Sequence, residues 1–150
     1  MIPEPSEEQI RRAGRAAARL AKVLEVSLAN IGASLPQYRL LAFLAGGPER
    51  ASALARRLEV SPPSLTALVD TTVAKGLVER QTAEGDRRAV RHVLTPEGEA
   101  ALAQADAAIA EHLGHLLETL DPAHRAFAVE GLLALSDAIE RRHEALLAPR

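Results

Sequence analysis

The chain has 150 residues, 47% hydrophobic and 25% charged, with a formal net charge of −2. It has no Cys and three aromatics (Tyr38, Phe43 and Phe127). That length supports one domain with its own core, and the missing Cys excludes disulfide scaffolds, thiolate zinc sites, Cys nucleophiles and thiol switches. So few aromatics exclude a stacking reader of single-stranded RNA. With no apolar run of membrane length and no apolar stretch in MIPEPSEEQIRR, the expected class is soluble and cytoplasmic, without a membrane partner.

Ser6 followed by Glu7, Glu8 and Gln9 reads as a helix cap with acid in the first turn. The helix runs to about residue 30, with Ile10, Leu20, Leu24 and Leu28 near one stripe and Gly32 placed to end it. Pro36 opens a second helix carrying Leu40, Leu41, Phe43 and Leu44, which Gly46-Gly47-Pro48 stops. A short helix over about 52–58 uses Leu54, Ala55 and Leu58. Glu59-Val60 connects it to Ser61-Pro62, a cap followed by proline at the first helical position. The helix starting there buries Leu65, Leu68, Val69 and Thr72 and stops at Gly76.

The period then changes. Residues 77–82 and 89–94 are short segments with β-branched residues, and Glu84-Gly85-Asp86 between them supplies turn chemistry, so they predict a hairpin. Thr95-Pro96 caps a helix with Leu102, Ile109, Leu113, Leu116 and Leu120 inward. Asp121-Pro122 starts the last, with a core stripe of Phe127, Leu132, Leu135, Ile139 and Leu146. The fold class is mainly α with a small two- or three-stranded β wing, in the order α-α-α-α-β-β-α-α.

Charge is distributed unevenly. Residues 1–49 carry six basic and five acidic groups, residues 50–92 eight and five, and residues 93–150 four and ten. The middle third, at +3, is therefore the candidate surface for an anionic partner. Two short helices joined by about three residues and followed by a hairpin form a winged helix-turn-helix pattern, whose second helix fits a major groove. Its N-terminal turn is expected to favour phosphate through free backbone N–H groups and the helix dipole. Pro63, Ser64, Ala67, Asp70 and Thr71 face away from its buried stripe, with Thr66 on the flank. At the hairpin tip, Arg87 and Arg88 suit a minor groove, or Asp86 pairs with one of them to fix the turn. The alternative to DNA binding is plain helical packing with a solvated turn.

Residues 35–98 resemble the MarR family (multiple antibiotic resistance regulators) of bacterial winged-helix transcription factors. The resemblance rests on Leu35-Pro36-Gln37-Tyr38, Leu54-Ala55-x-x-Leu58-x-Val60-Ser61-Pro62, Leu65-Thr66-x-Leu68-Val69-Asp70 and Lys75-Gly76-Leu77-Val78-Glu79-Arg80. Its most specific part is Asp86-Arg87-Arg88-x(5)-Leu94-Thr95-x-x-Gly98. It implies a homodimer built from the helices of 1–34 and 96–150, with 35–95 as the DNA-binding lobe. The implied activity is repression of a nearby gene, relieved by a small anionic or aromatic effector bound where the lobe meets the dimer helices. The implied contacts to double-stranded DNA are Ser61, Pro63, Ser64, Thr66, Ala67, Thr71 and Lys75 on the recognition helix, and Arg87, Arg88 and Arg91 on the wing.

The chain departs from that family in two places. No Arg, Lys, Asn or Gln faces outward on the recognition helix before Lys75, so bidentate base readout is not available from it. Specificity then leans on DNA shape and the wing arginines. Arg50 stands where a capping Ser or Thr is common, leaving Ser52 as the substitute cap. In the effector pocket, Tyr38 and Arg39 are the polar candidates, although Arg39 equally suits a salt bridge to the acidic C-terminal region. His112 and His115 share a helix face near Glu111, a metal-ligand spacing that exposed histidines on an acidic helix also explain. No metal, no cofactor and no enzymatic constellation is expected. The competing function is a winged-helix dimer acting through protein–protein contacts, with weak or no specific DNA binding.

Overall fold

Hydroxyl side chains set where four helices begin. In the computed structural model, which describes residues 4–83 and 86–147 and the side chains of 4–82 and 90–145, Ser6 caps α1 (Glu7–Ala29) and Ser34 caps α2 (Leu35–Leu44). Ser61 caps α4 (Pro62–Ala74) and Thr95 caps α5 (Pro96–Glu118). Each oxygen accepts from the N–H three residues on, satisfying one of the donors that a helix start leaves open. Between α2 and α4 lie β1 (Glu49–Arg50) and α3 (Ala51–Leu58); β2 (Val78–Ala83), β3 (Asp86–Leu94) and the last helix α6 (Pro122–Leu147) complete the chain.

The expected order holds with one addition, the two-residue β1. Gly47, at φ 127, turns the chain after α2 so that Glu49 and Arg50 pair with His92 and Arg91 of β3. The sheet is antiparallel in the order β1-β3-β2, giving a three-stranded wing. Two residues are too few to show a period of two, so β1 left no pattern in the sequence. Ser52 does not cap α3; it lies inside the helix, and the cap position is Arg50 without a side-chain bond.

Leu40, Leu41, Leu44, Leu54, Leu58, Leu65, Val69 and Val78 form one buried cluster. All eight belong to the helix-turn-helix lobe, and burying each contributes on the order of 2 kcal/mol. Thr72 is buried beside them with its hydroxyl on the Leu68 carbonyl. α5 is fastened to this lobe at its start: the Thr95 hydroxyl donates to the Gly76 carbonyl at 2.6 Å, and the Thr95 N–H donates to the Leu77 carbonyl.

The apolar stripes on the long helices are only in part core within one chain. Leu28 of α1 is fully buried and Leu102 of α5 packs against the lobe cluster, but among the described side chains the rest of the expected core is half-buried or open. Leu116 and Leu120 of α5 are exposed, as are Ile10 of α1 and Phe127, Leu132, Leu135 and Ile139 of α6. Among the described side chains of α6, only His143 is buried. The stripes are real, but among the described residues one chain covers only part of them. No helix among the described residues is long and apolar enough to cross a membrane.

Candidate nucleic-acid interface

The turn between α3 and α4 is made by Glu59, at φ 55, with the Val60 N–H returning to the Ala55 carbonyl. A left-handed residue here ends α3 and aims the chain into Ser61. Behind the turn, Leu65 and Val69 hold α4 on the core, so its other face is uncovered: Ser61, Pro63, Ser64, Thr66, Ala67 and Thr71 are all exposed.

Two features of α4 correct the expectation. First, its N-terminus offers phosphate no free helical N–H in the first three positions. Pro62 and Pro63 have none, and the Ser64 N–H is held by Ser61 Oγ at 3.3 Å. What remains there for an anion is the helix dipole and one hydroxyl, since the Ser61 and Ser64 side chains share a single hydrogen bond at 2.8 Å. Ser61-Pro62-Pro63 carried this signal in the sequence, since proline is good at starting a helix for the same reason that it cannot donate. Second, the exposed threonines donate inward. Thr66 Oγ1 bonds the Pro62 carbonyl at 3.0 Å and Thr71 Oγ1 the Ala67 carbonyl at 2.8 Å. Their outward chemistry is then acceptor lone pairs and methyl groups. Those suit base amino groups and thymine methyls, not the acceptor edge of guanine.

Asp70, the acid on this face, is paired with Arg80 of β2. That ion pair ties α4 to the wing and partly neutralises the one carboxylate on this face. On the wing, strand register brings Arg50 and Arg91 directly opposite each other, with Gln81 across from Arg91 on the third strand. Directly opposed residues share a face, and like charges so placed repel, an arrangement that an anion between them would relieve. Arg50 became part of this site only through β1. Arg87 and Arg88 lie on β3, but their side chains are outside the described residues, as are Glu84 and Gly85, which the sequence assigned to a turn. On the opposite face His92 is buried, and desolvation holds its pKa below the ordinary value despite a bond from Nδ1 to the Glu49 carbonyl.

Lys75, expected as a DNA contact, is exposed at the end of α4. Its Nζ reaches 2.8 Å from Oε1 of Gln37, a buried side chain on α2. The two line a cavity of about 210 Å³ bounded by the α1–α2 loop, α2, the end of α4 and α5. Tyr38 lines it too, its hydroxyl donating to Asp106 Oδ1 at 2.8 Å. Burial first, then that bond, push the phenol pKa up to about 12, so Tyr38 stays a neutral donor. Gln104 adds an amide. Arg39 is exposed and does not line this cavity, and among the described residues it makes no salt bridge. The cavity thus has one cation and two amides among apolar walls, a set that suits a small anion, while the Tyr38 hydroxyl already donates its hydrogen bond to Asp106.

His112 and His115 border a separate hollow with Ser27, Asn30 and Glu111. Among the described residues no three His, Asp or Glu side chains are grouped to hold a metal ion. A larger apolar groove of about 790 Å³ opens between α5 and α6, lined by Leu113, Leu117, Leu120, Phe127, Leu132 and Leu135 among others.

A model of the MarR family matches residues 31–89, which span α2 to the start of β3. The fold is also that of solved structures over most of the chain. RV1404 from Mycobacterium tuberculosis is 28% identical with a TM-score of 0.73, over 92% of this chain and 97% of that one. The transcriptional repressor CouR, bound to a 23-mer DNA duplex, is 24% identical with a TM-score of 0.70, over 89% and 99%. The M. tuberculosis MarR family protein RV2887, in complex with salicylic acid, is 21% identical with a TM-score of 0.70, over 90% and 99%. The lobe thus matches the MarR family model over residues 31–89, and the long helices follow the same path as in these solved structures.

Proposed function

We propose that the chain is a homodimeric, sequence-specific DNA-binding repressor released by a small organic anion. The observation that carries this reading is the uncovered face of α4 beside a wing bearing Arg50 and Arg91, on a helix-turn-helix with its own core. CouR bound to duplex DNA supports the same use of the fold. In this reading, 35–95 is the DNA-binding lobe, while 1–34 and 96–150 form the dimer through the apolar faces left open on α1, α5 and α6. Ser61, Pro63, Ser64, Thr66, Ala67 and Thr71 face the major groove, Arg87 and Arg88 the minor groove, and Arg50 and Arg91 the backbone. A chromosomal target places the protein in the cytoplasm.

The effector would enter the cavity between lobe and dimer helices. A carboxylate head there competes with Gln37 for Lys75, the residue that caps the C-terminal end of α4, so ligand binding acts on the recognition helix itself. RV2887 in complex with salicylic acid supports a carboxylate as ligand class.

Footprinting on the operator selected from a random duplex library tests the reading. It should show two half-sites about one helical turn, or a multiple, apart, with affinity falling steeply with salt. In the series Arg87→Ala, Arg88→Ala and Thr66→Ala, the arginine changes should relax sequence preference most. If only the threonine change did so, the wing-led account would be wrong. The second reading, a dimer acting through protein contacts, is favoured by the proline-blocked N-terminus of α4. It predicts weak duplex binding with no sequence preference.

A further inference from the structure

α6 leaves α5 at the Asp121 corner and returns toward the lobe, and its C-terminal half reaches the helix-turn-helix at two points. Glu140 Oε2 lies 3.6 Å from Arg57 Nη2, and His143 Nε2 lies 3.5 Å from Glu59 Oε1. Both contacts are anchored on the lobe side. The Arg57 guanidinium sits over the Phe43 ring, 5.3 Å from its centroid, which ties it to α2. Glu59 is the left-handed residue of the turn, two positions before the cap of α4. On the other side, His143 is only 7% exposed, on a helix whose other described side chains are half-buried or exposed. Burying one imidazole at the end of an otherwise open helix marks a docking point.

We propose that Arg57, Glu59, Glu140 and His143 are positioning residues that fix the angle between the DNA-reading lobe and the dimer-forming helix, and so the half-site spacing that the dimer accepts. This rests on the dimeric DNA-binding reading above. α5 holds the lobe through Thr95 and Gly98 at the wing and through Asp106 on Tyr38 of α2; the α6 contacts add a second helix, at the helix-turn-helix turn. A body held along one helix can pivot about it, whereas one also held by a second helix does not. A pivot would let each recognition helix follow a displaced half-site. Since each base pair moves a half-site by about 3.4 Å and roughly 35° around the duplex, a fixed angle accepts one spacing.

The test uses the selected operator with its spacer lengthened or shortened by one and two base pairs. Wild type should lose at least about tenfold in affinity per base pair of change. Glu140→Ala combined with His143→Ala should reduce that penalty to within about threefold, with half-site sequence preference kept. The charge exchange Arg57→Glu with Glu140→Arg should restore most of the penalty, which a loss of general stability would not. Retention of the wild-type spacing penalty in the double variant would overturn the proposal. Where His143→Ala unfolds the chain, Glu140→Gln carries the same comparison.

A second measurement needs no DNA. The chain has no Cys, so spin labels at Ser52→Cys on α3 and Glu130→Cys on α6 are unique, and excess unlabelled chain isolates the distance within one protomer. A narrow distribution that broadens in the double variant supports the joint, and an unchanged one overturns it. If wild type selects no operator, the DNA-binding reading fails and this distance still decides whether the joint exists.

Discussion

A methyl group on Gly98 would lie 2.0 Å from the Leu77 carbonyl oxygen and 3.0 Å from its carbon. Both are backbone atoms at the seam between α4 and the wing, so they cannot swing aside as a side-chain end would. That explains the glycine in Leu94-Thr95-x-x-Gly98: the stretch is a joint in which threonine supplies hydrogen bonds and glycine supplies clearance. Gly98→Ala should lower folding stability by about 2–3 kcal/mol, read as a reduced urea midpoint with unchanged slope. A midpoint equal to wild type would mean that the joint is not rigid. His92 gives a second expectation at this scale. Its folded pKa is lowered from 6.5, chiefly by burial, so below that value the unfolded chain binds the proton more readily. Its stability contribution is complete above about pH 6.5 and is lost as pH falls from there. His92→Gln, which can still donate to the Glu49 carbonyl, should therefore lose less stability than wild type between pH 7 and pH 5. Matching acid slopes by urea titration would sink that account.

Among the elements, α4 and the wing are joined by Asp70 and Arg80, whose side chains are 57% and 42% exposed. Solvent screening at that exposure limits the pair to under about 1 kcal/mol of stability. Its larger effect is expected in DNA binding, because removing the guanidinium leaves a bare carboxylate on the face proposed to meet DNA. Arg80→Ala should weaken operator binding by about three- to tenfold, while the double change with Asp70→Asn should recover part of that loss. Fluorescence anisotropy on one operator at fixed salt decides it, and equal affinities for the two variants would show that Asp70 is harmless. The element scale also shows what was legible and why. Ser61 and Thr95 as caps, and Gly32 and Gly76 as stops at φ 73, were readable because each acts within one helical turn. The blocked start of α4 was readable too, since proline's missing N–H needs no tertiary structure. β1 was not: what makes Glu49 and Arg50 a strand is β3, more than forty residues away.

For the whole molecule, the decisive feature is that apolar side chains are well buried in the lobe and poorly buried on the long helices. Phe127 is 69% exposed and Leu135 63%, on a face continuous with the apolar groove between α5 and α6. A second copy of the chain, presenting the same faces, is the partner this reading requires. Leu135→Glu should yield a monomer by light scattering and reduce operator affinity by at least about a hundredfold, since each half-site then binds alone. A variant that stays dimeric at micromolar concentration would place the interface elsewhere.

The sequence by itself determined the helix boundaries, the hairpin, the family resemblance and the apolar stripes, because caps, prolines, turns and periodicity act through neighbours a few residues apart. It also settled that no thiol switch is available. Only the tertiary structure decided which stripes are core and which lie open, because burial depends on what stands opposite. The tertiary structure alone turned Lys75 onto Gln37, 38 residues away, joined Tyr38 to Asp106 across 68, and set Glu140 on Arg57. Those contacts join elements whose separation is fixed by the path of the whole chain, and no local pattern encodes that path.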